Sequence, residues 1–365
     1  MGKRIKVLYT IPNFDTAGSG KVVYDLVNGL NKTSFEPEIC CFHNRGEYFK
    51  VIQSLGVKIH LFQFATPYRP FLSFPFRLCK IYRFFKKNQF DIIYSWHWSS
   101  DFSEPLAAKL AGIPFVYTKK AMGWGNKAWR WRSQLSTKII AINSDMVKGF
   151  LKPYKTKVEY IPLGVDIDYF KPIKKKYNDV EGNEILKEDF VIVSVANLVP
   201  VKGIEIVLEA VKQINNRQIK VFVVGDDTNN YGKELKSKYK NLINVFFLGK
   251  KLDVRQYLAI ADVFVIPTKD EGRKEGMPIA PLEAMASGRI VIGSNIPGIR
   301  DILKSDLLFR PGSINDLISK INFVRDLSPK QRTNLEFEMR NNVVSRFSLK
   351  HFLKGHENLY NSLLK

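Results

Sequence analysis

The stretch EGMPIAPLE sets Glu275 and Glu283 around a Gly, a Met and two Pro. On one continuous helix the eight steps between them would turn through about 800° and leave the carboxylates roughly 80° apart. Pro278 argues against such a helix, because it lacks an N–H donor and collides with the preceding turn. The spacing instead predicts Glu275 on a loop and a helix from about Ile279 that ends before Gly288. Glu283 then sits just past the first turn, and free backbone N–H groups lie between the two acids. Such amides attract phosphate, and carboxylates accept hydrogen bonds from hydroxyls. The element suits a ligand with a phosphate in its middle and hydroxyls at both ends, the shape of a nucleotide sugar.

Lys202 closes VANLVPVK, just before or at a helix start. A cation and free backbone donors there would neutralise a diphosphate leaving group; a solvated lysine is the plainer reading of the residue alone. Gly18 and Gly20 flank Ser19 in TAGSGKVVYDLVNGL, after the first strand and ahead of a helix. Two glycines let a backbone approach a phosphate or sugar closely. Position 23 is Val, so the full dinucleotide fingerprint is missing, and an ordinary strand-to-helix turn is the alternative. His97 in SWHWSS and Lys119–Lys120 in FVYTKKAM each follow a strand and should reach a binding crevice. His97 between Trp96 and Trp98 also fits plain packing, and either lysine fits an anionic acceptor. We find no Ser/His/Asp nucleophile arrangement and no aspartate cluster that demands a divalent metal.

Short apolar runs alternate with amphipathic segments and must position these groups. In the first half the runs are 3–10, 36–42, 57–62, 90–95, 114–118, 138–142 and 157–162; in the second they are 189–197, 219–226, 243–249, 262–268, 289–294 and 306–311. Strands buried on both faces and separated by helices imply parallel, doubly wound sheets, which bind ligands at the carboxyl ends of their strands. The Lys-rich stretch 171–189 is the expected linker. Residues 347–365 read as a final helix, with Phe352, Leu359 and Leu363–Leu364 on one face and Ser348 as N-cap.

At 365 residues and 45% hydrophobic, the chain is long enough for two cores. Its three Cys show no metal or redox spacing, so reduced thiols and a cytoplasmic setting are expected. No run is long enough to span a membrane, the amino terminus is too short and charged for a signal peptide, and Lys6 stands where myristoylation wants Ser or Thr. Residues 1–165 carry 25 Lys+Arg against 10 Asp+Glu, and residues 166–365 carry 32 against 25, so +15 of the +22 net charge lies in the first part. Two stretches, 67–90 and 118–138, interleave basic residues with aromatics. They fit an anionic membrane interface or a single-stranded nucleic-acid platform; a solvated basic face is the plain alternative. Carboxylates at the crevice would repel a nucleic-acid backbone, so no nucleic-acid partner is expected.

The ordered set of TAGSG, YIPLGVDIDYF (160–170), ANLVPVKG (196–203), VVGDD (223–227) and E-x7-E over 275–283 resembles the retaining glycosyltransferase family 4 along nearly the whole chain. The resemblance implies a GT-B fold, two Rossmann-like domains facing each other across a cleft: 1–165 with helix 347–365 on the acceptor side, and 166–346 binding a nucleotide-sugar donor. It places Glu275 on the transferred sugar, the Gly276–Met277 backbone and adjoining Pro278 at the diphosphate, Glu283 on ribose hydroxyls, Lys202 on the departing diphosphate, and Gly18–Ser19–Gly20 facing the same phosphates. It also suggests that the last helix returns to the first domain. Asn197 stands where the family usually has an arginine; Lys202 then works with one cation fewer, or Lys250 or Arg273 substitutes. Lys119–Lys120 replace a frequent histidine, and Leu163 a frequent Asn. The implied activity moves a sugar from a UDP- or GDP-linked donor to an acceptor hydroxyl, saccharide or lipid-linked, in bacterial surface-polysaccharide assembly at the inner face of the cell membrane, with no metal or other cofactor. A nucleotide-sugar epimerase or hydrolase of the same fold is the enzymatic alternative.

Overall fold

A computed structural model describes residues 3–15, 17–174, 180–271 and 274–365. The chain divides into two compact units, Met1–Pro162 with Phe352–Lys365, and Leu163–His351.

The first unit is built on seven parallel strands: β1 (Ile5–Thr10), β2 (Phe35–Cys41), β3 (Ile59–Leu61), β4 (Ile92–Ser95), β5 (Phe115–Lys119), β6 (Lys138–Ala141) and β7 (Val158–Tyr160), in the order β3-β2-β1-β4-β5-β6-β7. The inner strands β4 and β5 are buried at every position, while the edge strands β3 and β7 are only partly covered. Helices on both faces explain that contrast, since only an inner strand is enclosed on every side. The second unit has six parallel strands: β8 (Phe190–Val195), β9 (Ile219–Val224), β10 (Val245–Phe247), β11 (Val263–Ile266), β12 (Ile290–Ser294) and β13 (Leu308–Phe309), in the order β10-β9-β8-β11-β12-β13. Eleven strands fall inside apolar runs of the sequence, β2 and β5 overrun theirs by one residue at Phe35 and Lys119, and both sheets reverse strand order beside their first strand, the switch point of a doubly wound fold.

Helix Ile204–Ile214 shows how the layers hold. Its Ile204, Val207, Leu208 and Val211 recur at helical spacing and are buried, a stripe that drives the helix onto the sheet. The last helix, Leu349–Leu363, buries Phe352, His356, Leu359 and Tyr360. Tyr360 Oη lies 2.9 Å from Tyr9 Oη, and His356 Nε2 lies 3.0 Å from Tyr94 Oη, so the helix end joins the core of the first unit. The Ser348 hydroxyl accepts from the His351 N–H at 3.4 Å, as a cap should.

Two expectations change. Residues 180–189 do not link the units; they lie inside the second, where Ile185 and Asp189 are buried and Val180 pairs with Asn183. Part of the expected linker, 175–179, lies outside the described residues. The segment Gly18–Ser19–Gly20 is not a loop ahead of a helix but the first turn of helix Ala17–Gly29. A first turn needs no backbone hydrogen bond on its N–H side, so glycine costs little there.

Candidate active site

The carboxyl end of β8 runs into a 3₁₀ turn, Pro200–Lys202, and then into helix Ile204–Ile214. Gly203 makes the junction possible. Its φ is +65°, and a Cβ there would lie 2.3 Å from the Pro267 carbonyl oxygen. The turn is thereby pressed against the segment that leaves β11, and the Lys269 N–H donates to the Val201 carbonyl at 2.8 Å. Lys269 is held by Glu205 at 2.7 Å and Glu271 at 2.9 Å.

This packing aims Lys202 at Glu275. The Lys202 ammonium donates to both carboxylate oxygens, at 2.7 Å and 2.6 Å. The two side chains keep 16% and 34% of their surface exposed, so the pair is accessible to a ligand. Glu275 is on a loop and the helix after it is Ala280–Ala286 with Ile279 as N-cap, as the Pro and Gly positions predict. Gly276, Met277 and Pro278 are buried between them. Glu283 falls within the first turn rather than just past it, half-buried. Asn197 is exposed on the loop after β8. Of the two proposed substitute cations, Lys250 lies near Asp226, whose carboxyl it helps to hold low after the Thr228 hydrogen bonds, and Arg273 is outside the described residues.

Gly298 escaped sequence reasoning. Its φ is +81°, and a Cβ there would stand 2.0 Å from the Gly276 carbonyl oxygen and 3.1 Å from Met277 Cα. The glycine therefore backs the segment between the two acids. The available signal was the Pro-Gly turn in SNIPGIR. Gly225 plays the same part under the Asn197 loop, where a Cβ would meet the Ala196 carbonyl at 2.1 Å.

In the first unit the sequence-predicted residues gather at the ends of β1, β4 and β5, with different fates. Lys119 is the last residue of β5 and is buried, contrary to the expectation that it reaches out. Its ammonium donates to the Ala121 carbonyl at 2.8 Å and sits 4.5 Å from the Trp129 ring centroid, a combination that replaces its water. Lys120 follows the strand and is half-buried, donating to the Trp96 carbonyl at 2.6 Å and the Ser19 hydroxyl at 3.3 Å. The helix start at Ser19 and Lys120 are thus neighbours. Gly18 faces open space, whereas Gly20 packs on Phe14 and Tyr48. His97 is buried against Phe42 and Phe64, and its Nδ1 has no hydrogen-bond partner. Burial, with help from the Arg132 and Lys120 charges, lowers its pKa to about 3.

Beneath them Arg132 and Glu104, both fully buried, pair at 2.8 Å, and Thr10, Ser95 and the Asp101 carbonyl join the network. Burial raises the Glu104 pKa against the opposing Arg132 charge. Among the described residues no group of three His, Cys, Asp or Glu side chains is placed to hold a metal ion, and no helix is long and apolar enough to cross a membrane.

Two units, each built on a doubly wound parallel sheet, make up the GT-B architecture. Solved structures of this fold include a glycosyltransferase from Rickettsia africae, 19% identical with a TM-score of 0.84 over all of both chains. Anabaena HepE in complex with UDP is 19% identical with a TM-score of 0.82, over 98% of this chain and 100% of that one. Residues 176–341 match the family described as glycosyl transferases group 1, and residues 16–169 match Glycosyltransferase Family 4. The two matches together span most of the chain, which is similar to glycosyltransferase family 4 in its first part and is a glycosyltransferase. Among its relatives, the UDP-Gal:alpha-D-GlcNAc-diphosphoundecaprenol alpha-1,3-galactosyltransferase of Escherichia coli is 28% identical over 74% of this chain and 75% of its own length. The N,N'-diacetylbacillosaminyl-diphospho-undecaprenol alpha-1,3-N-acetylgalactosaminyltransferase of Campylobacter jejuni is 24% identical over 86% of each.

Proposed function

We propose that this enzyme is a retaining transferase that moves a sugar from a nucleoside-diphosphate sugar to a hydroxyl of a saccharide carried on undecaprenyl diphosphate. It would act in surface-polysaccharide assembly, as a peripheral protein on the inner face of the cell membrane. The observation that carries the reading is the two-oxygen contact between Lys202 and Glu275 in a partly exposed position. The lipid-linked acceptor is supported by the substrates for which the two bacterial relatives are named. The nucleotide donor is supported by the likeness to a protein that holds UDP.

A diphosphate arriving beside Lys202 competes for its ammonium and frees Glu275 to accept hydrogen bonds from the sugar hydroxyls. As the anomeric C–O bond breaks, negative charge grows on the diphosphate, and Lys202 with the backbone donors near Gly276–Met277 stabilises it. The acceptor oxygen forms the new bond on the face the leaving group vacates, and its proton passes to a phosphate oxygen, so no protein nucleophile is required. Glu283 holds the ribose hydroxyls, and in the first unit Gly18–Ser19–Gly20 offer first-turn N–H groups to an anionic group. His97 and Lys120 serve the acceptor side; Lys119 supports them from within the core.

The test is transfer from UDP- and GDP-linked sugars to a polyprenyl-diphosphate-linked saccharide by Lys202→Ala and Glu275→Ala. Each variant should lose about a hundredfold to a thousandfold in kcat, the usual cost of removing one donor to a developing charge. Near-normal turnover in both, with folding intact, refutes the site. Product formed from donor alone, without acceptor, points to the epimerase or hydrolase reading instead.

A further inference from the structure

Of the two basic-aromatic stretches, one has a tip that no described residue of its unit covers. Leu72 is 92% exposed, Phe76 75% and Phe71 66%. Large apolar side chains bared together mark an interaction surface. The tip is held in shape: Arg77, one turn into helix Phe74–Asn88, donates to the Pro70 carbonyl at 2.9 Å and the Arg69 carbonyl at 3.3 Å. The same helix buries Leu78, Ile81 and Phe85 in the unit. Its other side presents Phe76, Lys80, Arg83 and Lys87, all exposed and spaced four, three and four residues apart, which is one stripe of a helix. Among the described residues no acid pairs with any of these three cations, and the sequence from 67 to 90 contains none. The aromatic surface continues sideways through ring contacts from Phe71 to Tyr68 at 5.5 Å, Tyr68 to Phe102 at 6.0 Å and Phe102 to Trp131 at 5.4 Å. The half-exposed Trp131 comes from the second stretch, whose Lys119, Trp129 and Arg132 are otherwise turned inward.

We propose that this face, the tip at Phe71–Leu72 with Phe76 and the cation stripe behind it, docks on an anionic phospholipid bilayer. The apolar tip enters the headgroup boundary while Lys80, Arg83 and Lys87 meet lipid phosphates. A nucleic acid would use the cations but has no use for a bare Leu72. An apolar protein partner would use the tip and leave three unpaired cations unexplained. The inference deepens the membrane reading given above and rests on it for its purpose, but it is measured without donor or acceptor.

The experiment is co-sedimentation of the full chain with phosphatidylcholine vesicles, with and without phosphatidylglycerol. The wild type should bind the anionic vesicles and bind pure phosphatidylcholine at least about tenfold more weakly. Lys80→Glu with Arg83→Glu should lose roughly fivefold or more per cation, and Leu72→Asp with Phe76→Asp at least about tenfold. Phe337→Asp, an equally exposed apolar residue of the second unit, should bind as wild type does. Equal binding to both vesicle types, or unchanged binding by both double variants, overturns the proposal. So does a dimer in gel filtration that the Leu72/Phe76 variant dissolves while lipid binding stays absent. All four positions are exposed, and transfer to a short-chain, water-soluble acceptor should remain at the wild-type rate in both variants while transfer to a vesicle-embedded acceptor falls. A wild type that binds vesicles but transfers no sugar would refute the transferase specifics and leave the docking face standing.

Discussion

Glu104 and Arg132 lie fully buried at the strand ends of the first unit, with Thr10, Ser95 and the Asp101 carbonyl as further partners. Lys202 and Glu275 stand at the strand ends of the second unit, and each keeps part of its surface open. Both are ion pairs at the carboxyl end of a parallel sheet, yet they answer different demands. A fully buried pair cannot exchange partners without exposing a bare charge to a medium of low polarity. A partly exposed pair can, because water or a ligand phosphate takes the place of the partner that leaves. The first arrangement fixes loops, and the second suits a ligand that arrives and departs. The two buried histidines, His97 and His356, also lie in the first unit.

The largest effect should come from splitting the buried pair. Arg132→Met leaves Glu104 without its counter-ion and should cost about 3–5 kcal/mol, read as loss of hydrogen-exchange protection in the first unit with the second unchanged. Adding Glu104→Leu should restore much of it. Equal destabilisation by the single and double variants would mean that packing, not charge, is what matters there.

Acid should separate the units next. Burial holds His356 at about 4 and His97 at about 3, against 6.5 for a free ring. The folded first unit keeps both neutral, while its unfolded chain takes up a proton on each. Their contribution is complete above about pH 6.5 and is lost as pH falls toward 4, by about 1–2 kcal/mol for each ring between pH 7 and pH 5. Urea unfolding followed by unit-resolved exchange should show the first unit weakening ahead of the second. A pH-independent first unit would contradict the buried, neutral state of both rings.

A smaller effect is expected at Gly298. Forcing Ala to φ +81° costs about 1–2 kcal/mol, and the added carbon must push the Gly276 carbonyl away. Gly298→Ala should therefore raise the donor KM severalfold by shifting the segment between Glu275 and Glu283. A melting temperature that drops while donor KM stays fixed would make this glycine a purely structural support.

The strands and the loop at Glu275 are legible in the sequence, whereas the buried pair of the first unit is not. Eleven of the thirteen strands lie wholly within apolar runs and the other two, β2 and β5, overrun theirs by one residue; the inner ones, buried on both faces, have no polar alternation to blur them. The loop at Glu275 and the helix from Ala280 were legible because Pro278 and Gly288 punctuate them. The Glu104–Arg132 pair was not, since no local pattern ties residues 28 positions apart on different helices. Lys119 misled for a related reason: a lysine reads as solvated until Trp129 and the Ala121 carbonyl are found around its ammonium. The polar stretch 180–189 looked like a linker because Ile185 is a single anchor among charges.

Gly18 offers the smallest and most discriminating test. Its missing side chain points into open space, and helix Ala17–Gly29 already includes it. Gly18→Ala should therefore stabilise the first unit by about 0.4–1 kcal/mol, because alanine narrows the unfolded ensemble at no cost to the folded one. Gly298→Ala, by contrast, must destabilise. If Gly18→Ala folds better and transfers sugar as fast as wild type, the glycine pair is only a helix start. If it folds better yet transfers slowly, the space beside Gly18 is occupied during the reaction, and the first turn then meets an anionic group as the Gly18–Ser19–Gly20 reading requires.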